Sequence, residues 1–238
     1  CLGTGALEEI SENKFFVTLL DCLLSFFSTV QQPLIQASLA CGILYVCSQY
    51  GRILEKCFDL LKVVMFKLFD FMQEKSMPQV QESAIEAMKK IVRRCGFHIV
   101  MKQENEESSL FEIMLRNSET LFQSLSLNDI IEMYEVYAIL IACLIGEPDK
   151  EQVLNGISGT INQQLSGLVE NINPFDEAWY DGFNFIIQCN IRLSKYLGNI
   201  YISQFQQILP MFVQIYKFVS GAINQVPIES PQRRLLMN

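Results

Sequence analysis

The sequence predicts an all-α protein, and within that class an α-solenoid built from antiparallel helix pairs of the HEAT type. Apolar residues recur at steps of three and four in nearly every segment of the 238-residue chain, whereas an alternation with period two is hard to find. Several helices also carry two apolar faces, which stacked repeats need because each helix pair packs between two neighbours. A plain helical bundle is the alternative that the pattern leaves open.

The apolar periodicity also predicts where the helices lie. We predict helices at residues 12–29, 34–49, 52–74, 79–96, 109–123, 127–145, 150–171, 174–192 and 198–224. Prolines near first turns and polar residues at possible caps support several of these starts: Pro33, Pro78 and Pro174, and Ser109, Asn128 and Asn173. The first helix of each pair recurs at intervals of roughly 40 to 57 residues, which suits two-helix repeats.

Composition and charge exclude several classes of protein. Half of the residues are hydrophobic and the formal net charge is −8, so the chain can bury a substantial core but lacks the basic face that nucleic acid requires. The densest basic segment, KKIVRR at 89–94, is interpreted as a solvated rim. The longest apolar run, residues 136–145, is shorter than the ~20 residues needed to span a bilayer and predicts a buried helix. We therefore expect no direct nucleic-acid binding and no membrane insertion.

The eight cysteines indicate reduced thiols rather than a disulfide framework. They lie mostly inside apolar helical runs and show no CxxC spacing, which favours a cytosolic or nuclear compartment. The chain begins at Cys1, and its first residues resemble neither a signal peptide nor a transit sequence. We therefore expect a fragment of a longer protein.

Nothing in the sequence forms a catalytic constellation. The single histidine, His98, cannot furnish a zinc site and has no nucleophile in a suitable setting. GTGAL at 3–7 lacks the lysine and the preceding strand of a phosphate loop. Asp176, Glu177 and Asp181 surround Trp179, but acidic residues at a helix start are favoured by the helix dipole alone. We expect no enzyme activity, no cofactor and no metal.

The segment VVMFKLFDFMQ at 63–73 is a helix with two adjoining apolar stripes. Leu60, Val64, Lys67 and Phe71 share one of them, and Asp70 lies beside Lys67. In one interpretation the helix is buried and Lys67 extends its ammonium outward to pair with Asp70. In the other, the helix is one wall of a groove, with a cation and an anion at its lip.

Five segments carry a family resemblance: KFFVTLLDCLL at 14–24, ILYVCSQYGRILEKCFDLLK and the directly following VVMFKLFDFMQE, VQESAIEAMKKIVRRC at 80–95 and IIEMYEVYAILIACLIG at 130–146. In this order they resemble successive repeats of the exportin 1 family of nuclear export receptors, in the karyopherin-β group. The segments within 43–95 are the most specific, while residues after 150 match mainly by pattern and length.

The resemblance implies a central piece of a ring-shaped HEAT solenoid, with one continuous repeat segment over 1–238, groove repeats at 12–96 and further repeats at 109–224. It implies a groove between outer helices that binds leucine-rich nuclear export signals, with the position of Lys67 acting as a selectivity filter. Carried over position by position, the cargo-binding residues are Leu20, Leu24, Ala40, Leu44, Ile53, Leu60, Val64, Lys67, Asp70 and Phe71.

The implied partners are cargo proteins with leucine-rich export signals, Ran-GTP (mainly through regions outside this chain) and nucleoporins, with shuttling between nucleus and cytoplasm. A generic helical-repeat scaffold without preference for spaced leucines is the alternative.

Two departures from the family pattern are visible. Phe27 stands where many members carry the reactive cysteine targeted by leptomycin-type inhibitors, so we expect insensitivity to them. The following loop, STVQQPLIQ, lacks the usual lysines and arginines, so attraction to acidic flanks of a signal should be weaker and less sensitive to salt.

Overall fold

The computed structural model describes residues 4–104, 106–173 and 175–225, and these ranges contain helices and no strand. The helices are α1 (Thr4–Thr29), α2 (Pro33–Gln49), α3 (Gly51–Lys56), α4 (Phe58–Met72), α5 (Pro78–Val100), α6 (Leu110–Arg116), α7 (Ser118–Phe122), α8 (Leu127–Cys143), α9 (Glu147–Glu170), α10 (Glu177–Leu197) and α11 (Tyr201–Gln225). A 3-10 turn, Gly198–Ile200, connects α10 to α11. The predicted all-α class is confirmed.

The chain divides into an amino-terminal unit, residues 1–143, and a carboxy-terminal unit, residues 144–238. In the amino-terminal unit, α5 packs between α2 and α8 and also against α3 and α4. The side chain of Gln81 donates to the carbonyl of Met72 at 2.7 Å, and the thiol of Cys95 donates to the carbonyl of Gly51 at 3.6 Å. These contacts show that α3 and α4 run antiparallel to α5, as the helices of a HEAT pair do.

Salt bridges connect α5 to its parallel neighbour α8. Lys89 pairs with Glu132 at 2.6 Å, and Arg93 pairs with the buried Glu135 at 2.8 Å. Burial alone would lower the pKa of Lys89, but its hydrogen bonds to Glu132 and Glu86 more than offset this effect and raise it. Acidic neighbours thus neutralise much of the basic segment at 89–94.

The apolar run at 136–145 is a buried helix through Ile141, as predicted, because Val136, Ala138 and Leu140 are all fully covered inside α8. None of the helices in the described parts of the chain is both long and apolar enough to cross a membrane.

Two predicted helices are each broken in the middle. The helix predicted at 52–74 is α3 and α4, separated by Cys57, whose φ of −128° and ψ of 92° are extended. The helix predicted at 109–123 is α6 and α7, separated by Asn117. The Asn117 amide donates to the carbonyl of Ile113 at 2.8 Å, so its side chain competes with the backbone for a helical acceptor.

The predicted starts at Pro33, Pro78 and Ser109 are confirmed. Pro33 and Pro78 are the first residues of α2 and α5. The Ser109 hydroxyl accepts from the backbone N–H of Glu112 at 3.1 Å, and the Glu112 carboxylate accepts from the Ser109 N–H at 2.8 Å, which is a capping box.

The caps predicted at Asn128 and Asn173 are wrong. Ser126 caps α8 by accepting from the N–H of Asp129 at 3.2 Å. Asp176 caps α10 by accepting from the N–H of Ala178 at 3.1 Å, so that helix begins at Glu177 and not at residue 174. Pro174 lies outside the described residues. The carboxylate of Asp176 therefore has a structural role, as the helix dipole suggested.

In the carboxy-terminal unit, α10 runs antiparallel to α9 and α11. The indole N–H of Trp179 donates to the carbonyl of Leu168 on α9 at 3.0 Å, and Phe183 packs edge-on against Phe212 of α11. The centre of this unit is an apolar cluster of Leu165, Trp179, Ile186, Ile208 and Ile215.

A buried polar group connects α9 to α11. The fully buried Gln204 accepts hydrogen bonds from Ser158 at 3.0 Å and from Asn162 at 3.1 Å, and it donates to the Asn162 carbonyl oxygen at 2.7 Å. Each polar atom of the Gln204 amide thus has a partner from α9, which removes the cost of burying it.

Gly96 marks the closest approach of α5 to α8. A Cβ added at this position would lie 2.7 Å from the Cys143 sulfur, so the two helices meet here without room for a methyl group. Glycine in a helix interior lowers stability by about 1 kcal/mol relative to alanine. The close packing of α5 against α8 explains why glycine is nevertheless present at this position.

We expect Gly96→Ala to destabilise the chain by about 1–3 kcal/mol because it overpacks this contact. Gly42→Ala is the matched control, since a Cβ on Gly42 meets nothing within 4 Å and should stabilise α2 by up to about 1 kcal/mol. Denaturant unfolding of both variants checks this. Adding Cys143→Ala to Gly96→Ala should recover part of the loss, and strictly additive effects would contradict the proposed clash.

Candidate functional site

The predicted cargo-binding residues lie mainly on α1 and α4. Phe16 stacks on Tyr50 with ring centroids 4.6 Å apart, and Phe27 meets Phe71 edge-on at 5.4 Å. Tyr50 directly precedes α3 and Phe71 lies near the end of α4, so α1 advances in the same direction as the segment that α3 and α4 form. We call the contact of α1 with α4 around Phe27 and Phe71 the α1–α4 seam.

Most of the predicted cargo-binding residues are buried. Among the predicted cargo-binding residues, the structure buries Leu20, Ala40, Leu44, Ile53, Val64 and Phe71. Leu24, Leu60 and Lys67 are half-buried, and Asp70 is exposed. Val64 and Phe71 are only 2% and 4% exposed, so an apolar side chain from a peptide reaches them only if the neighbouring groups move.

Lys67 lies at the rim of the seam in contact with three side chains. Its ammonium is 3.2 Å from a carboxylate oxygen of Asp70, 5.3 Å from the centre of the Phe71 ring and 5.9 Å from the centre of the Phe27 ring. The ion pair suggested by the three-residue spacing is therefore present. Both partners are substantially exposed, so the pair contributes little stability, on the order of a few tenths of a kcal/mol.

Phe27 is the residue whose role sequence reasoning missed. The sequence identified it only as a replacement for a cysteine, whereas the structure places its ring against Phe71 and under Lys67. No local pattern distinguishes it from its neighbour Phe26, which is 57% exposed. The contact depends on how α1 and α4 are placed side by side.

The described thiols fall into three groups. Cys22 and Cys57 are exposed, Cys41 and Cys143 are partly buried, and Cys47, Cys95 and Cys189 are buried. Burial raises the pKa of each of these three thiols to about 12, so they stay protonated and unreactive at neutral pH. Within the described ranges, no group of three or more histidine, cysteine, aspartate or glutamate side chains is placed to hold a metal ion.

Comparison with known proteins extends the resemblance over the chain. No protein-family model matches this sequence. The chain is 29% identical over 231 residues to Exportin-1 of Dictyostelium discoideum, covering 94% of this chain and 22% of that protein. It is 26% identical over 226 residues to EXPORTIN 1A of Arabidopsis thaliana and 27% identical over 229 residues to Exportin-1 of Drosophila melanogaster, in each case covering 93% of this chain and 21% of the relative.

The chain thus spans about a fifth of the length of the curated relatives it matches. The likeness also continues through the residues after 150, where the motifs alone were least specific, because each alignment covers more than nine-tenths of the chain. The resemblance is therefore confirmed: nearly the whole of this chain is similar to one part of the exportin-1 proteins.

Proposed function

We propose that this chain is a segment of a nuclear export receptor and that its α1–α4 seam binds leucine-rich export signals of cargo proteins. The similarity to exportin-1 proteins supports the first part. The observation that carries the second part is the apolar seam with the paired charges of Lys67 and Asp70 at its rim. Such a rim suits a peptide that is apolar on one side and presents backbone groups on the other.

The binding mode follows from the chemistry of the seam. An amphipathic signal would place its leucine-like side chains between α1 and α4, as in other helix-in-groove complexes. The Lys67 ammonium carries three N–H donors, so it can donate to a backbone carbonyl of the peptide while Asp70 keeps one of them.

Modest affinity is expected for the segment alone. Each buried anchor contributes about 1.5–3 kcal/mol, but ordering a disordered signal and losing rigid-body freedom cost several kcal/mol. Opening a seam in which Val64 and Phe71 are already covered adds a further cost. We propose that Ran-GTP, acting through regions of a longer receptor, raises the affinity by coupling two sites, and that the receptor shuttles between nucleus and cytoplasm with nucleoporins among its partners.

The test is titration of a fluorescent leucine-rich export peptide with the chain and with Phe71→Ala and Lys67→Ala. We expect saturable binding, weakened about tenfold or more by Phe71→Ala because a buried aromatic wall is lost. Lys67→Ala should change the relative affinities of peptides with different anchor spacing. Phe97→Ala, which truncates a 49% exposed ring on α5, is the control and should bind like the wild type.

A folded chain that ignores the peptide, even when joined to the neighbouring repeats of a longer receptor and supplied with Ran-GTP, would overturn the groove assignment. A peptide with its leucines replaced by serines must also fail to bind, since binding that ignored the leucines would point to a scaffold.

We also expect no covalent adduct with leptomycin-type inhibitors. Phe27 cannot react, and Cys47 is buried with its pKa raised to about 12. Mass spectrometry of the intact chain after incubation with the inhibitor checks this. An adduct mapped to Cys22, which is exposed on α1, would show that another thiol replaces the missing one.

The alternative function is a helical-repeat scaffold, and one observation favours it. A cavity of about 470 Å³ lies between α10 and α11 in the carboxy-terminal unit and is lined by Ile187, Ile191, Phe205, Ile208 and Phe212 among others. A scaffold would bind its partner without a requirement for spaced leucines, which the peptide with serines in place of leucines detects.

A further inference from the structure

We propose that Phe27 is an internal occupant of the α1–α4 seam: its ring holds a position that an apolar side chain of an export signal must take over. Phe27 would then set both the affinity of the seam and the number of anchors that a bound signal can use. The inference rests on the proposed function, because it concerns the same peptide.

Three contacts hold the Phe27 ring in this position. It meets Phe71 edge-on at 5.4 Å with an interplanar angle of 83°, a favourable arrangement for two aromatic rings. The Lys67 ammonium lies 5.9 Å from the Phe27 ring centre and 5.3 Å from that of Phe71, so one cation attracts both rings. Asp70 holds the same ammonium at 3.2 Å. Four side chains from two helices thus close the rim of the seam.

The neighbouring phenylalanine at this end of α1 does not take part. Phe26 is 57% exposed, whereas Phe27 is half-buried and has its ring against α4. Phe71 is 4% exposed, although it belongs to the stripe of α4 that is expected to meet a signal. The ring of Phe27 is the described aromatic group in direct contact with it from α1.

A competing ring lowers affinity by the strength of the contacts that binding must break. Breaking one aromatic pair or one cation–π contact weakens peptide binding by a few-fold in the equilibrium constant. A substitution that removes both contacts of Phe27 should therefore tighten peptide binding by about tenfold. In the wild type, one anchor of the signal should then add little to the affinity, because the Phe27 ring already fills the space next to Phe71.

The experiment titrates a fluorescent peptide with four spaced apolar anchors against the 238-residue chain, Phe27→Ala and Phe26→Ala. We expect Phe27→Ala to bind about tenfold more tightly and the exposed control Phe26→Ala to bind within about twofold of the wild type. Phe27→Leu keeps apolar volume without an aromatic ring and should fall between the two. Thermal unfolding of each variant identifies any loss of folding.

Truncating each peptide anchor to alanine in turn completes a double-mutant cycle. One anchor should matter about tenfold more in Phe27→Ala than in the wild type, because it alone competes with the ring.

The outcomes separate the two proposals. Equal or weaker binding by folded Phe27→Ala, with Phe71→Ala still weakening the wild type, overturns the role of Phe27 and leaves the groove standing. If neither the wild type nor Phe27→Ala binds the peptide while both remain folded, even within a longer receptor supplied with Ran-GTP, the proposed function itself fails, and the inference fails with it.

Discussion

Replacing Trp179 by alanine is expected to lower the free energy of unfolding of the carboxy-terminal unit by about 3–5 kcal/mol, the usual cost of emptying the site of a buried indole. Trp179 is 5% exposed and stacks on Phe183 with ring centroids 5.3 Å apart. It also meets Tyr180 edge-on and donates its N–H to the carbonyl of Leu168 at 3.0 Å. One side chain therefore joins the first turn of α10 to the end of α9.

Urea unfolding followed by circular dichroism measures this loss, since Trp179 is the only tryptophan and fluorescence would disappear with it. Trp179→Phe should lose less stability, because it keeps an aromatic ring. Some loss remains, since the Leu168 carbonyl is left without its donor. Tyr216→Ala, at a position 72% exposed on α11, is the control and should stay within about 0.5 kcal/mol of the wild type. An unchanged midpoint for Trp179→Ala would contradict the central place of this residue.

Raising the pH above about 9 is expected to destabilise the amino-terminal unit steeply. Burial raises the pKa of the Cys47 and Cys95 thiols to about 12 in the folded chain, whereas an unfolded thiol ionises at about 8.5. The unfolded state therefore releases protons first. The stability that these thiols contribute is complete below ~8.5 and falls as the pH rises toward the folded pKa, by about 1.4 kcal/mol per pH unit for each thiol.

Burial also raises the pKa of Tyr137, so its phenol adds to the effect at still higher pH, above the ordinary tyrosine value of about 10.

The measurement is urea unfolding under reducing conditions at several pH values between about 8 and 11. Cys47→Ala should flatten the dependence by about 1.4 kcal/mol per pH unit, even though it lowers stability at every pH by opening a small cavity. Cys22→Ala, at an exposed position, is the matched control and should leave the slope unchanged. If Cys47→Ala and the wild type lost stability in parallel, the buried Cys47 thiol would not be the cause.

The helices could be predicted where local chemistry decides them. Pro33, Pro78 and the Ser109 capping box mark helix starts through backbone groups that lie within one turn. The break at Cys57 could not be predicted, since no proline or glycine lies between Arg52 and Met72 to mark it. The helices on both sides of Cys57, α3 and α4, pack against α5, and such a contact between distant segments is not contained in a local pattern.

The candidate site divides in the same way. Lys67 and Asp70 are three residues apart on one helix, so their pairing followed from helix geometry. The contact of Phe27 with Phe71 joins residues on two helices that are far apart in the chain, and it depends on how those helices are aligned. Sequence reasoning found Lys67, Asp70 and Phe71 but not that the ring of Phe27 contacts Lys67 and Phe71.

The amide of Gln204 has a further consequence for how α9 and α11 fit together. Apolar side chains are largely interchangeable partners, so two helices with apolar faces can shift along one another by one turn at a small cost in free energy. Gln204 opposes this, because Ser158 and Asn162 are themselves about one turn apart on α9, so a shift of one turn, about 5.4 Å, would take its buried amide away from one of these two partners. This single polar residue therefore fixes the axial alignment of the two helices.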